Sequence, residues 1–246
     1  MIRMNGIKKN FFYNMAYQVL NLILPLVTVP ILSRTLGAEQ TGVYSYTYSI
    51  VNYFMIFGML GISNYGNRKI AKSRENKKMV SKNFVSIYII QFILNIIMLI
   101  LYSAYIIFFS KYKTIASVEI LFILSNMFDI SWLYFGEEDF KKTVVRSIFV
   151  KIISLILIVL FVKTQEDLVK YTLIMSCSTF ISQIILWVGV KKYIELKNTK
   201  ITLKDIKEHI NKILVLFIPV ISYSIYKIMD KIMLGLQSNM EEVRIL

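Results

Sequence analysis

The strongest constraint on this 246-residue chain is the alternation of long apolar blocks with short charged stretches. A helix of about 20 apolar residues crosses the hydrocarbon of a bilayer, and only helices or closed barrels satisfy backbone polar groups there. Hydrophobic residues make up 56% of the chain, above the roughly 45–50% of soluble domains. We therefore predict an all-α, polytopic transmembrane helix bundle of about seven spans, at 11–33, 42–63, 84–109, 115–136, 145–163, 168–190 and 213–236.

The distribution of basic residues predicts the orientation of these spans. Of the 29 Lys and Arg residues, 21 fall in the N-terminal segment and the loops on its side, and six fall on the other side. The remaining two, Lys227 and Lys231, lie inside the last block. Because Lys and Arg accumulate in cytoplasmic loops, we expect a cytoplasmic N-terminus. The net charge of +14 then requires no nucleic-acid partner.

An enzyme is not expected. The outer loops 34–41, 110–114 and 164–167 are too short to build an active site, and the chain has a single cysteine, Cys177, and a single histidine, His209. We predict no catalytic residues, no cofactor and no metal site. His209 is expected to be solvated.

The loop 191–212 is expected to hold an amphipathic helix on the cytoplasmic leaflet. Thr202 and Asp205 have capping-box spacing, and a partner-binding helix is the alternative. The apolar face consists of Leu203, Ile206, Ile210 and Leu214.

Polar residues inside the spans are the candidate functional residues. Stripes at helical spacing occur on three spans. Such residues can simply join helices through hydrogen bonds worth about 0.6 kcal/mol each. Successive stripes on spans one and two instead favour a hydrated path. On span four, Asp129 is a candidate for ion pairing, and Asp129 and Glu119 are candidates for coupling to protons or sodium. The stripes consist of Asn14, Gln18, Asn21 and Thr28; Ser45, Tyr48, Ser49 and Asn52; and Glu119, Asn126 and Asp129.

The segment YKIMDKIMLG at 226–235 carries three charges on one helix face, namely Lys227, Asp230 and Lys231. Each charge near the bilayer centre costs about 2.5–3.5 kcal/mol, so all three are expected to face protein or water. Asp230 can neutralise one lysine and leave one positive charge for an anion. A buried ion pair that fixes helix register, or a Lys231 that extends to the interface, is the alternative.

The chain resembles the N-terminal portion of the polysaccharide repeat-unit flippases, the O-antigen and capsule exporters of the multidrug/oligosaccharidyl-lipid/polysaccharide exporter superfamily. The resemblance lies in VPILSRTLGAEQTGVYSY at 29–46, GISNYGNRKIAKSR at 61–74, DISWLYFGEEDFKKTVVRSIFVKII at 129–153 and FIPVISYSIYKIMDKIMLG at 217–235. It implies a fold of two helical lobes around a cationic cavity. The expected activity is movement of an undecaprenyl-diphosphate-linked oligosaccharide from the inner to the outer leaflet of the bacterial cytoplasmic membrane.

The resemblance also implies roles for particular residues. Arg34 and Arg68 would lie at the two mouths of the path and Lys227 toward its middle. The family's Asp-Arg pair is Asp230-Lys231 here, which keeps the cation but loses a bidentate phosphate contact. The implied partners are the lipid-linked oligosaccharide, membrane lipids, a polysaccharide polymerase, a chain-length regulator and a second copy of the chain.

Seven spans correspond to one six-helix lobe at 1–190, a cytoplasmic linker at 191–212 and the first helix of a second lobe at 213–246. We therefore expect a chain that is truncated relative to its family and that can be inactive in transport when it is alone. Two functional alternatives remain. One is an ion-coupled drug or cation extruder of the same fold, and the other is a non-transporting scaffold of a glycan-assembly complex.

Overall fold

The computed structural model describes residues 26–195 and 201–237, together with helical positions at 12, 15, 18, 19, 22 and 23; the side chains of 227 and 234–237 lie outside the description. Within these residues the chain is an all-α bundle without strands, which confirms the predicted fold class. The helices are α1 (Leu26–Thr35), α2 (Gly37–Met59), α3 (Ile62–Ser73), α4 (Lys77–Phe108), α5 (Lys113–Met127), α6 (Ser131–Gly136), α7 (Phe140–Phe161), α8 (Leu168–Trp187) and α9 (Leu203–Gln237).

Five of the predicted spans are long and apolar enough to cross a membrane by length and composition. The helix α2 has 23 residues, a length of about 34 Å, but its many hydroxyl and amide side chains make it less apolar. Most of the first predicted span precedes the continuously described residues. The five spans are Lys77–Phe108, Lys113–Gly136, Phe140–Phe161, Gln165–Lys192 and Leu203–Tyr226.

The helix α5 lies at the centre of the bundle and packs against α2, α4 and α8. The helix α9 packs against α2 and, near its N-terminal end, against α3 and α4. Two of the predicted spans are interrupted. Span two ends at Met59, where Leu60 adopts a positive φ of 45° before α3 begins. Span four is broken between α5 and α6 at residues 128–130.

The structure corrects the expectation for loop 191–212. Its helix is the beginning of α9, which continues through Pro219 to Gln237 without a break. The predicted capping box is confirmed, since Asp205 N–H donates to Thr202 Oγ1 at 3.4 Å and Thr202 N–H donates to Asp205 Oδ2 at 3.0 Å. Of the predicted apolar face, Leu203, Ile210 and Leu214 are exposed and Ile206 is half-buried.

The expectation that His209 is solvated was wrong. His209 is buried, and its Nδ1 lies 2.7 Å from the Tyr65 hydroxyl of α3. The reason is that α9 turns the positions 206, 209, 213, 217, 220, 224 and 228 toward the bundle. Two ion pairs flank this contact, Lys69–Glu208 at 3.7 Å and Lys82–Asp205 at 2.8 Å.

Candidate functional site

A cleft of about 210 Å³ lies where α2, the start of α3, α5 and α9 meet. Its polar lining consists of three amides, Asn52, Asn64 and Asn126, and the Ser63 hydroxyl. No carboxylate or cationic side chain lines it among the described residues. The apolar walls are Met55, Ile56, Met59, Leu60 and Val220, with Gly61 at one end.

The amide of Asn126 is held in place by a buried hydrogen-bond network. Its Nδ2 donates to the Met55 carbonyl at 2.9 Å and to Asn95 Oδ1 at 2.9 Å. Asn95 Nδ2 in turn donates to the Gly58 carbonyl at 3.0 Å. A Cβ at Gly58 would lie 2.6 Å from Asn95 Oδ1, so the glycine permits this close approach. The network therefore ties α2, α4 and α5 together directly behind the cleft.

Two side chains satisfy carbonyls at the break between α5 and α6. Trp187 Nε1 of α8 donates to the Phe128 carbonyl at 2.9 Å, and Gln91 of α4 reaches the carbonyls on either side. Its Nε2 lies 3.0 Å from the Asn126 carbonyl and 2.8 Å from the Asp129 carbonyl, and its Oε1 accepts from Trp132 Nε1 at 3.0 Å. Carbonyls at a helix end need such partners where water is absent. Gln91 and Trp132 are both fully buried. The broken helix is thus a fixed element of the bundle.

The helix α9 forms the fourth wall of the cleft and contacts α2 mainly through apolar groups. The rings of Phe57 and Phe217 lie 5.4 Å apart. At the end nearest α3 the helices approach most closely, since a Cβ at Gly61 would lie 2.6 Å from the Ile213 carbonyl oxygen. Farther along, the Tyr53 hydroxyl donates to the Ser224 carbonyl at 3.4 Å. An interface with so few hydrogen bonds can separate at modest cost.

The predicted site residues do not all meet at this cleft. Asn52 lines it, whereas Gln18, Arg34 and Arg68 have exposed side chains elsewhere. Arg34 and Arg68 lie near opposite ends of α2, separated by its full length. Asn14 and Asn21 lie outside the described residues, as does the side chain of Lys227.

The charged residues predicted for ion pairing are likewise apart from the cleft. Asp129 accepts a hydrogen bond from the Ser131 N–H at 2.8 Å and so shapes the start of α6. Asp230 is exposed and Lys231 is half-buried on the last described turns of α9. No ion pair joins these two residues among the described side chains.

Sequence reasoning missed the supporting residues of the cleft. Gln91 and Asn95 are four residues apart in an otherwise apolar block, a spacing that marks one helix face. That signal was present but was not used. Asn64 lies after the predicted end of span two, so its membership of the cleft depends on the turn at Leu60.

The sequence pattern of the family described as "Polysaccharide biosynthesis protein" matches residues 7–245. A protein of Escherichia coli (strain K12) named "Putative O-antigen transporter" is 26% identical over 211 residues, covering 81% of this chain and 51% of that protein. A protein of Shigella dysenteriae with the same name is 23% identical over 207 residues, covering 80% and 52% respectively. No solved structure matches the chain.

The chain spans about half the length of the curated relatives it matches. Both relatives are named as transporters rather than enzymes, in agreement with the expectation of a non-enzymatic protein. The five apolar helices make the chain a multi-pass membrane protein. Since the family pattern covers nearly all of its residues, the chain belongs to the polysaccharide biosynthesis protein family.

Proposed function

We propose that this chain forms one side of a path that moves a polyprenyl-diphosphate-linked oligosaccharide from the inner to the outer leaflet of the bacterial cytoplasmic membrane. The observation that carries the proposal is the amide-lined cleft between α2 and α9 in a member of a polysaccharide biosynthesis family. Asn side chains donate and accept hydrogen bonds, as sugar hydroxyls do. An uncharged polar lining therefore suits a glycan that must pass without being held tightly.

The size of the cleft restricts what it can hold in this conformation. At about 210 Å³ it is smaller than a typical ligand pocket of about 300–1,000 Å³. It holds a few water molecules or one sugar ring, and not a whole lipid-linked oligosaccharide. Passage of such a substrate therefore requires α9 to move away from α2, and the apolar Phe57–Phe217 contact is the interface that would open.

The charged residues are assigned complementary roles in the same proposal. Arg34 and Arg68 lie near opposite ends of α2 and would attract the diphosphate at the two membrane faces, with the N-terminus of the chain in the cytoplasm. Lys227 and Lys231 of α9 would neutralise the diphosphate within the bilayer, and Asp230 would balance one of them when the path is empty.

The alternative of a drug or cation extruder receives less support. A cationic substrate would require an anionic group in the path, and no carboxylate lines the cleft among the described residues. Glu119 has a buried carboxyl group, but it is not one of the residues that line the cleft. A scaffold without transport would have no use for a polar cleft in lipid, where unsatisfied amides are costly.

Binding measurements on the purified 246-residue chain in lipid nanodiscs test the proposal. The probe is a polyprenyl-diphosphate oligosaccharide, compared with a lipophilic cation such as ethidium. We expect saturable binding of the glycolipid alone. The substitution Asn52→Leu should weaken glycolipid binding about two- to twelvefold, which corresponds to the loss of one hydrogen bond of about 0.5–1.5 kcal/mol.

The matched control is Asn211→Leu, because Asn211 is exposed on α9 and absent from the cleft. This substitution should leave glycolipid binding unchanged. Tighter binding of ethidium than of the glycolipid would contradict the proposal and favour the extruder. Absence of binding to both probes would favour the scaffold.

A further inference from the structure

Glu119 of α5 is a carboxyl group buried in the bundle without a cationic partner among the described side chains. Its side chain has no solvent exposure, and no ion pair reaches it among the described residues. Two hydroxyls contact it instead: Thr47 Oγ1 lies 2.9 Å from Oε1 and Tyr102 OH lies 3.2 Å from Oε2. An isolated carboxylate is very costly to bury.

The described titratable groups near Glu119 are all tyrosines, which are uncharged at neutral pH. The helix α2 contributes Tyr44 and Tyr48, and α4 contributes Tyr102 and Tyr105. Behind Tyr44, α8 contributes Tyr171, whose ring meets that of Tyr44 at 4.8 Å. Phenols with ordinary pKa values near 10 do not ionise at pH 7. No described group therefore offsets a negative charge on Glu119.

The number of protons available for hydrogen bonds also favours a protonated Glu119. The Thr47 hydroxyl has one proton, yet its oxygen lies 3.1 Å from the Val43 carbonyl as well as 2.9 Å from Glu119 Oε1. Thr47 can share its proton among these acceptors, but a protonated Glu119 that donates to Thr47 while Thr47 donates to Val43 makes each contact a full hydrogen bond. Tyr102 then donates to the remaining oxygen, Oε2.

A row of tyrosine rings extends from this carboxyl toward Glu39. The rings of Tyr102 and Tyr105 stack at 5.9 Å, and the Tyr105 hydroxyl lies within hydrogen-bonding reach of Tyr46 and Ser110. The ring of Tyr46 meets that of Tyr112 at 6.4 Å. Beside Tyr112 lies the exposed carboxylate of Glu39. Such groups relay protons when water completes the gaps.

We propose that Glu119 is a proton-binding site, occupied in this structure, whose proton determines how α2 and α4 pack against α5. On release the carboxyl O–H bond breaks, its electron pair stays on Glu119, and the proton passes along the hydroxyls to water near Glu39. Thr47 then turns its own proton from Val43 to the new carboxylate. The use of this proton to drive glycolipid movement rests on the proposed function.

The proposal favours a proton over a metal ion. Among the described residues, the side-chain oxygens at this place are those of Glu119 and of its two hydrogen-bond partners, Thr47 and Tyr102. Within the described residues no group of three or more His, Cys, Asp or Glu is placed to hold a metal. A sodium ion would also repel the Tyr102 hydroxyl proton that points at Oε2.

Infrared spectroscopy of the purified chain in nanodiscs at neutral pH tests the bound proton directly. A protonated carboxyl gives an acid C=O stretch that an ionised one lacks. We expect this band in the wild type and in Glu75→Gln, a control at an exposed carboxylate between α3 and α4, and its loss in Glu119→Gln. In Tyr102→Phe the band should remain and shift, because a hydrogen bond to Oε2 is removed. Identical spectra of wild type and Glu119→Gln in this region would overturn the proposal.

A second measurement follows thermal stability against pH. If the folded chain keeps the proton while the unfolded chain releases it above about pH 4.3, stability falls as pH rises. The melting temperature of the wild type should therefore drop between about pH 5 and about pH 8 relative to that of Glu119→Gln. Equal pH profiles, or a stabilisation by sodium that Glu119→Gln abolishes, would contradict proton binding. Neither measurement involves glycolipid, so neither depends on the proposed function.

Discussion

The substitution Gln91→Leu should destabilise the bundle strongly, although leucine and glutamine are similar in size. Gln91 joins the Asp129 carbonyl to Trp132 Nε1, and Gln91 and Trp132 are both fully buried. Leucine would leave both groups without this partner. Two orphaned buried groups at about 1–3 kcal/mol each give a loss of about 2–6 kcal/mol.

The assay is denaturant unfolding of the purified chain in mixed detergent–lipid micelles, with the free energy of unfolding taken from the midpoint and slope. The control is Gln165→Leu, because Gln165 is exposed and a surface change typically stays within about 0.5 kcal/mol. Adding Trp132→Phe to Gln91→Leu should recover part of the lost free energy of unfolding, because the indole N–H without a partner is then removed. Equal stability of Gln91→Leu and Gln165→Leu would refute the assignment of Gln91 to the helix break.

Three further predictions concern α9 and the orientation of the chain. Gly61→Val should separate α9 from α2, because even a Cβ at this position lies 2.6 Å from the Ile213 carbonyl oxygen. A disulfide between cysteines introduced by Phe57→Cys and Phe217→Cys should then form more slowly. The control Ala71→Val, at an exposed position of α3, should not change the rate of disulfide formation. His209→Leu and Tyr65→Phe should each lower stability and show a coupling energy of about 1 kcal/mol in a double-mutant cycle, since they remove one shared hydrogen bond; additive losses would contradict that contact. In a Cys177→Ser background, Lys78→Cys should react with an impermeant thiol reagent only from the cytoplasm and Lys111→Cys only from outside, and the reverse pattern would overturn the orientation inferred from the basic loops.

The fold class could be predicted because block length and hydropathy depend only on local sequence. Five of the predicted spans have counterparts in the structure, and the Thr202–Asp205 capping box is present as expected. The two helix breaks could not be predicted in this way. The break after Met127 exists because Gln91, distant in sequence, satisfies the freed carbonyls.

The candidate site was predicted only in part for the same reason. Asn52 lies on a stripe that periodicity reveals, but its partners Asn64 and Asn126 reach the cleft through the turn at Leu60 and the network behind α5. His209 was misassigned because its neighbours in sequence are charged, whereas its neighbour in space is Tyr65. Side-chain surroundings set by tertiary packing do not follow from local composition.

The central claim, that a glycan passes beside α2 and α9, is tested most directly by photo-crosslinking in cells that make lipid-linked oligosaccharide. A photoreactive residue replaces Met55, which lines the cleft, or Ile100, which is 62% exposed on α4 and faces away from it. The account predicts a glycan-positive adduct at position 55 well above that at position 100. Equal labelling at both positions, or labelling at position 100 alone, would contradict it.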